Sequence, residues 1–179
     1  MLDAGQKIDR YVVDSVIGYG GTAVVYRVKH VQLATDHALK VLSVSSTAIR
    51  ERMLREGRVQ AALTHPNVVA LSDVLDVNGA PGLLMEYIEG PSLEEALKQF
   101  RISLDDAEML FHGIVLGVQA AHETGLVHRD LKPANVLLAE TEEGFVPKVT
   151  DFGLAKVLVG DGIEFGTTRA GIAMGTPSY

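Results

Sequence analysis

Asp130, Lys132 and Asn135 fall within one short segment, V-H-R-D-L-K-P-A-N-V-L-L, and Asp151 follows in K-V-T-D-F-G-L-A-K. Each of these residue types suits a step in moving a phosphoryl group. A carboxylate such as Asp130 can accept a hydroxyl proton, and a lysine such as Lys132 can neutralise charge on the group in transit. Asn135 offers an amide oxygen to a metal, and Asp151 is a second hard oxygen ligand suited to Mg2+. Gly153, close to Asp151, permits a sharp turn. As bare spelling, either segment could also be a loop with incidental polar side chains.

Two upstream features add to this set. Lys40 is centred in the apolar strand pattern H-A-L-K-V-L, where a lone ammonium is costly without a partner. In the helical pattern that follows, Met53, Glu56, Gln60 and Leu63 share one stripe at 100° per residue, while Glu51, Arg55 and Arg58 lie opposite. Glu56 therefore faces inward and is the nearest partner for Lys40. The stretch I-G-Y-G-G-T-A-V-V-Y spells G-x-G-x-x-A. A dinucleotide-binding turn with that spelling needs a helix after the glycines, whereas here the run A-V-V-Y-R-V-K-H reads as a strand. A glycine loop between antiparallel strands can instead fold over a nucleotide's phosphates, its N–H groups approaching closely because no Cβ intervenes. A plain glycine-rich hairpin turn has the same spelling.

The elements that must position these residues change character along the chain. R-Y-V-V-D-S-V-I-G, A-V-V-Y-R-V-K-H and H-A-L-K-V-L-S-V read as strands of an antiparallel meander. One helix, about residues 48–63, interrupts it and ends at T-H-P-N, where Pro66 blocks continuation. V-V-A-L-S-D-V-L-D-V and G-L-L-M-E-Y-I form a further hairpin joined by an N-G-A-P-G turn. Ser92 with Glu95 makes a capping box for a short helix. Ser103 caps a longer one over residues 104–124, stopped by Gly125. Few charges accompany Ile114, Val115 and Val118 in that helix, so it is expected to be largely buried. T-E-E-G-F marks a last hairpin. The order is a β-rich part and then a helical part, joined at residues 86–90.

Composition narrows the function classes. The chain has 179 residues with a net charge of -7, which offers no electrostatic footprint for nucleic acid or an anionic membrane surface. No apolar run is long enough to span a bilayer, and M-L-D-A-G-Q-K-I-D-R is no signal peptide, so the expected location of this segment is cytoplasmic. The absence of Cys excludes disulfides and thiolate metal sites. His30, His37, His65, His112 and His122 are scattered and read as structural or surface residues.

Taken together, G-Y-G-G-T-A-V-V, A-L-K, H-R-D-L-K-P-A-N, D-F-G and G-T-P-S-Y, in that order over nearly the whole chain, resemble the serine/threonine protein kinases, in particular the eukaryotic-like kinases of bacteria. The resemblance implies an α+β, two-lobe kinase-like fold: an antiparallel N-lobe with one regulatory helix at about 1–86, a hinge at 87–90 and the start of a helical C-lobe from 91. It implies ATP and Mg2+ as cofactors and protein Ser/Thr hydroxyls as acceptors. Ile17, Gly18, Tyr19, Gly20, Gly21, Thr22, Ala23, Val24 and Val25 would cover ATP. Lys40, paired with Glu56, would contact the α and β phosphates, and Met85 would be the gatekeeper. Backbone groups of Glu86 and Ile88 would hold adenine, with Ser92 near the ribose.

Asp130 would be the catalytic base, Lys132 would face the γ-phosphate, and Asn135 with Asp151 would hold Mg2+. Arg129 suggests control by a phosphate on the activation segment, at Thr168 or Thr167, and Thr176 would help orient the substrate. Lys132 points to Ser/Thr rather than Tyr specificity. A catalytically inactive scaffold and a kinase-fold enzyme acting on small molecules are the alternatives. The sequence departs from the family pattern at Ala23, where the third glycine of the loop would stand. The family would also continue past Tyr179, so the chain reads as a kinase domain cut within the activation segment. Residues 1–179 alone are expected to be poorly stable and to phosphorylate peptides weakly, and membrane anchoring is left to sequence beyond Tyr179.

Overall fold

The computed structural model describes residues 1–20, 23–42, 51, 54 and 57–152. The chain divides into two compact units, Met1–Thr64 with Val69–Ile88, and His65–Val68 with the chain from Glu89 onward.

The first unit is built on a six-stranded antiparallel sheet. Its strands are β1 (Lys7–Ile8), β2 (Tyr11–Gly20), β3 (Ala23–His30), β4 (Asp36–Leu42), β5 (Leu71–Val77) and β6 (Ala80–Glu86), in the order β1-β2-β3-β4-β6-β5. The sheet departs from a simple meander, because β6 lies between β4 and β5. The burial patterns give the reason. Five consecutive residues of β6, Pro81 to Met85, are buried, as a central strand requires, whereas β5 exposes Ser72, Asp73 and Asp76 at the sheet edge. The β5–β6 turn is also shorter than the N-G-A-P-G expected. Asn78 and Gly79 alone make it, both with positive φ (53° and 85°), and Ala80 already pairs with Val77. Asn-Gly suits that two-residue turn because its backbone twist matches the strands.

One face of this sheet carries a core of Tyr11, Val13, Tyr26, Val28, Leu39, Leu75, Val77 and Leu84, with Val24 and Val41 packed against it. The Tyr26 hydroxyl also accepts a hydrogen bond from the Leu2 backbone at 3.0 Å. Residues 57–61 are helical, and Gln60 and Leu63 are buried while Arg58 is exposed, in line with the inward stripe.

In the second unit, α1 (Leu93–Gln99) begins with the capping box: the Ser92 hydroxyl accepts from Glu95 N–H and the Glu95 carboxylate accepts from Ser92 N–H. α2 (Leu104–Glu123) is capped by Ser103 and ends before Gly125, whose φ of 79° needs glycine. A 3-10 turn, Pro133–Asn135, leads into the hairpin β7 (Val136–Thr141) and β8 (Gly144–Val149).

The expectation that α2 is largely buried fails. Only Leu110, Gly113, Gly117 and Ala121 are buried, while Phe111, Val115 and Leu116 are exposed. Small residues along one stripe let another backbone come close. A Cβ on Gly117 would stand 2.6 Å from the Asn67 carbonyl oxygen, and one on Gly113 2.7 Å from Pro147. Asn67 completes this contact by donating its side-chain amide to the Pro147 carbonyl at 2.9 Å, while its own carbonyl accepts from Val149 N–H at 2.8 Å. Gly90, with φ of 146°, packs against the Leu138 carbonyl where no Cβ fits.

Candidate active site

In the second unit, the segment from Leu126 to Asn135 is a loop held by its own polar groups. His128 is buried, and its Nε2 lies 2.8 Å from the Thr150 carbonyl oxygen. A carbonyl can only accept, so Nε2 carries the proton and Nδ1 is left to accept the Asp130 backbone N–H at 3.3 Å. Burial holds the ring below the ordinary histidine value, against the Thr150 hydrogen bond that raises it, so His128 serves as a neutral bracket. The Phe152 ring packs beside it at 4.8 Å between centroids.

Arg129, between the bracket and the acid, has φ of 67°, and Asp151 has φ of 66°. Left-handed backbone is uncommon for residues other than glycine and gathers where surroundings over-determine it, often at working sites. Here the turn at Arg129 brings the next carboxylate round. The Asp130 Oδ2 lies 2.8 Å from the Lys132 Nζ. Asn135 is buried, and its Nδ2 donates to the Asp130 carbonyl at 2.8 Å and lies 3.4 Å from Asp130 Oδ2. With its amide nitrogen committed to the loop, the oxygen is the end of Asn135 suited to a cation.

The β7–β8 register joins the two segments that hold the four polar residues. Val136 pairs with Val149, and Thr150 N–H donates to the Asn135 carbonyl at 3.0 Å. Asn135 and Asp151 therefore stand at the same end of one two-stranded ladder. Among the described residues, no group of three or more His, Cys, Asp or Glu could hold a metal by itself. One asparagine and one aspartate fit Mg2+ in a different way, since that ion commonly takes one or two side chains and fills its shell with phosphate oxygens and water.

The first unit presents a second set of residues. Lys40 pairs with Val25 on β3 and with Leu83 on β6, and Ala38 pairs with Arg27 and Met85. Directly opposed residues share a face. Tyr26 and Leu39 point into the core, so Val25, Lys40, Ala38 and Met85 belong to the opposite face. Ile17 and Tyr19 are exposed, and Gly18 and Gly20 lie within β2 opposite Val25 and Ala23.

The strand after the glycines excludes the dinucleotide turn. Neither Gly18 nor Gly20 has a positive φ, and a Cβ on either would meet only ordinary contacts, at 3.8 Å from Val25 and 3.5 Å from the Ala23 carbonyl. The hairpin itself thus does not require glycine at these two positions. Gly21, Thr22, Glu56, Thr167, Thr168 and Thr176 lie outside the described residues.

Ser92 makes the expected cap, its hydroxyl donating to Glu95 Oε2 at 2.8 Å and accepting from Glu95 N–H at 3.2 Å. One feature escaped the sequence reading. Arg27 was unassigned. It bonds Asp36 Oδ2 at 2.8 Å and lies 4.8 Å from the centre of the Tyr87 ring.

A model of the protein kinase domain matches residues 11–179. The chain belongs to the protein kinase family. Its relatives include the serine/threonine-protein kinase pkn2 of Myxococcus xanthus, 33% identical over 95% of this chain and 21% of that protein. Another is PknJ of Mycobacterium tuberculosis, 32% identical over 99% of this chain and 30% of that protein. The chain thus spans about a fifth to a third of the length of these two kinases. The crystal structure of the M. tuberculosis PknI kinase domain superposes with a TM-score of 0.71 at 28% identity, covering 91% of this chain and 71% of that one. These relatives make this a bacterial-type serine/threonine kinase domain with the α+β kinase fold. No helix among the described residues of this kinase domain is long and apolar enough to cross a membrane.

Proposed function

We propose that this kinase domain transfers the γ-phosphoryl group of ATP to serine and threonine hydroxyls of proteins. The observation that carries the reading is the Asp130–Lys132 pair at 2.8 Å, locked to Asn135. It sets a proton acceptor and a cation side by side, on a loop whose bends are fixed by part-buried hydrogen bonds.

In this reading Asp130 accepts the proton of the incoming hydroxyl as its oxygen bonds to the γ-phosphorus. The bond from that phosphorus to the β–γ bridging oxygen breaks, and ADP leaves. Lys132 then has two tasks: it holds the Asp130 carboxylate, and it neutralises charge on the phosphoryl group in flight. Lys40 takes the α and β phosphates, and Glu56 is its assigned partner. Asn135 and Asp151 are the residues that would hold Mg2+, which when bound supplies positive charge to the phosphate oxygens. Phosphoryl transfer asks mainly for positioning and charge neutralisation, and these side chains provide both.

Gly18 and Gly20 leave room for phosphates beneath the β2–β3 hairpin, and Val25, Ala38 and Met85 offer an apolar face for adenine. The Glu86 N–H donates to the Ala70 carbonyl at 2.9 Å, so an adenine contact at Glu86 uses its carbonyl. We assign residues 87–90 as the hinge, Arg129 with Thr168 or Thr167 as the regulatory pair, and Thr176 as a substrate-orienting residue. ATP supply places the reaction in the cytoplasm.

The full reading frame encoding this chain, incubated with Mg-ATP and a generic protein substrate, should yield phosphoserine and phosphothreonine by mass spectrometry, and EDTA should abolish the product. Metal-independent labelling, or transfer confined to small molecules, would remove the proposal.

A further inference from the structure

We infer that Arg27 is a positioning residue for the adenine end of the nucleotide, acting through the ring of Tyr87. The inference rests on the proposed role of Glu86 and Ile88. β6 ends at Glu86, and the last rung of its ladder is Glu86 opposite His37. Tyr87 and Ile88 lie beyond that rung, where the ladder of β6 ends. The backbone groups on either side of Tyr87 are those assigned to adenine.

Arg27 adds a side-chain restraint at this end of the strand. It sits on β3 opposite Ala38, two residues from Val25 and on the same face as Val25 and Lys40. One nitrogen of its guanidinium, Nη2, bonds Asp36 Oδ2 at 2.8 Å, and the group lies 4.8 Å from the Tyr87 ring centre. A planar cation held at one edge and set over an aromatic ring restrains that ring, which a lysine ammonium does less well. The side chains around it are named by the same geometry. Asp14 is 4.0 Å from Arg27 Nε, and Lys29 is 3.9 Å from Asp36 Oδ1. Among the described residues Arg27 Nε and Asp36 Oδ1 are buried without a hydrogen-bond partner, and the guanidinium is held by the Asp36 bond and the Tyr87 face, with Asp14 farther off at 4.0 Å.

Such a restraint acts on binding more than on chemistry. In the full reading frame, Arg27→Ala should raise KM for ATP about five- to tenfold, with kcat changed less than about twofold. Tyr87→Leu should match it, Tyr87→Phe should stay near wild type, and the Arg27→Ala/Tyr87→Leu double variant should be no worse than either single one. Arg27→Lys should fall between.

Adenosine, which carries no phosphate, separates positioning from simple attraction of ATP charge, and its dissociation constant should rise by the same factor as KM. An unchanged KM overturns the inference, as does a KM rise that spares adenosine. Equal loss in urea midpoint and KM for Arg27→Ala, without non-additivity in the double variant, reduces Arg27 to a structural role and overturns it too. If wild-type protein shows no ATP-dependent transfer at all, the kinase proposal fails first, and adenosine binding still tests Arg27.

Discussion

Asn135 donates its side-chain amide to the backbone carbonyl of Asp130 across 2.8 Å, so the residue offered to a metal also holds in place the residue offered as a base. The bond is part-buried, with Asn135 itself buried, and that sets its cost of removal. Asn135→Ala strips the donor from a shielded carbonyl and should lower the stability of the chain by about 1–3 kcal/mol in urea titration. Asn135→Asp should lose stability as well, because an acceptor then faces the Asp130 carbonyl and carboxylate. Both variants should lose phosphoryl transfer by more than their stability loss explains. Full activity in Asn135→Ala would separate the amide from the site.

Gly20 allows fold and function to be tested apart. A Cβ there would stand 3.5 Å from the Ala23 carbonyl, an ordinary contact, and the backbone is not left-handed. Gly20→Ala should therefore keep or gain stability, by up to about 0.5–1 kcal/mol, since glycine loses more backbone freedom on folding than alanine. KM for ATP should nonetheless rise roughly tenfold, a loss of about 1.4 kcal/mol in binding. A destabilised protein with normal KM would return these glycines to a plain hairpin role.

Acid should weaken the fold in two separate windows. His37 and His128 are both held below the ordinary value of 6.5, chiefly by burial of the ring. The unfolded chain then takes up protons before the folded one as pH falls. Stability from these rings is full above pH 6.5 and declines as the pH drops through that value toward the folded ones. Asp36 and Glu95 behave differently, held below 3.8 and 4.5 by hydrogen bonds from Arg27 and from the Ser92 backbone. Their contribution is lost only as the pH falls below those values. Urea midpoints should thus fall from pH 7 to pH 5, and His37→Gln should flatten part of the slope. A midpoint constant over that range would contradict the effect of burial on the buried His128 ring and the half-buried His37 ring.

The polar residues of the loop from Leu126 to Asn135 stood out in the sequence because their types and order are chemical, and the structure brings Asp130, Lys132 and Asn135 together. Capping signals at Ser92 and Ser103 were equally direct, since each names a local hydrogen bond that the structure makes. What the sequence hid was partnership across distance. The apolar middle of α2 suggested burial, but the stripe that packs is Gly113, Gly117 and Ala121, and its partner Asn67 lies far back in the chain. Glycines repeating every fourth residue were the available signal of close approach. The insertion of β6 between β4 and β5 likewise depends on pairing, which a strand pattern leaves open. Arg27 and Tyr87 stand sixty positions apart, and nothing local links them.

The central claim is that Asp130, braced by Lys132 and Asn135, takes the hydroxyl proton during phosphoryl transfer. Its most direct test is Asp130→Asn in the full reading frame, assayed with Mg-ATP and a generic protein substrate beside wild type. The amide keeps the size of the side chain but cannot accept the proton. The account predicts a fall in kcat on the order of 10^2 to 10^4 fold, with KM for ATP little changed. An Asp130→Asn protein that turns over at the wild-type rate would contradict it.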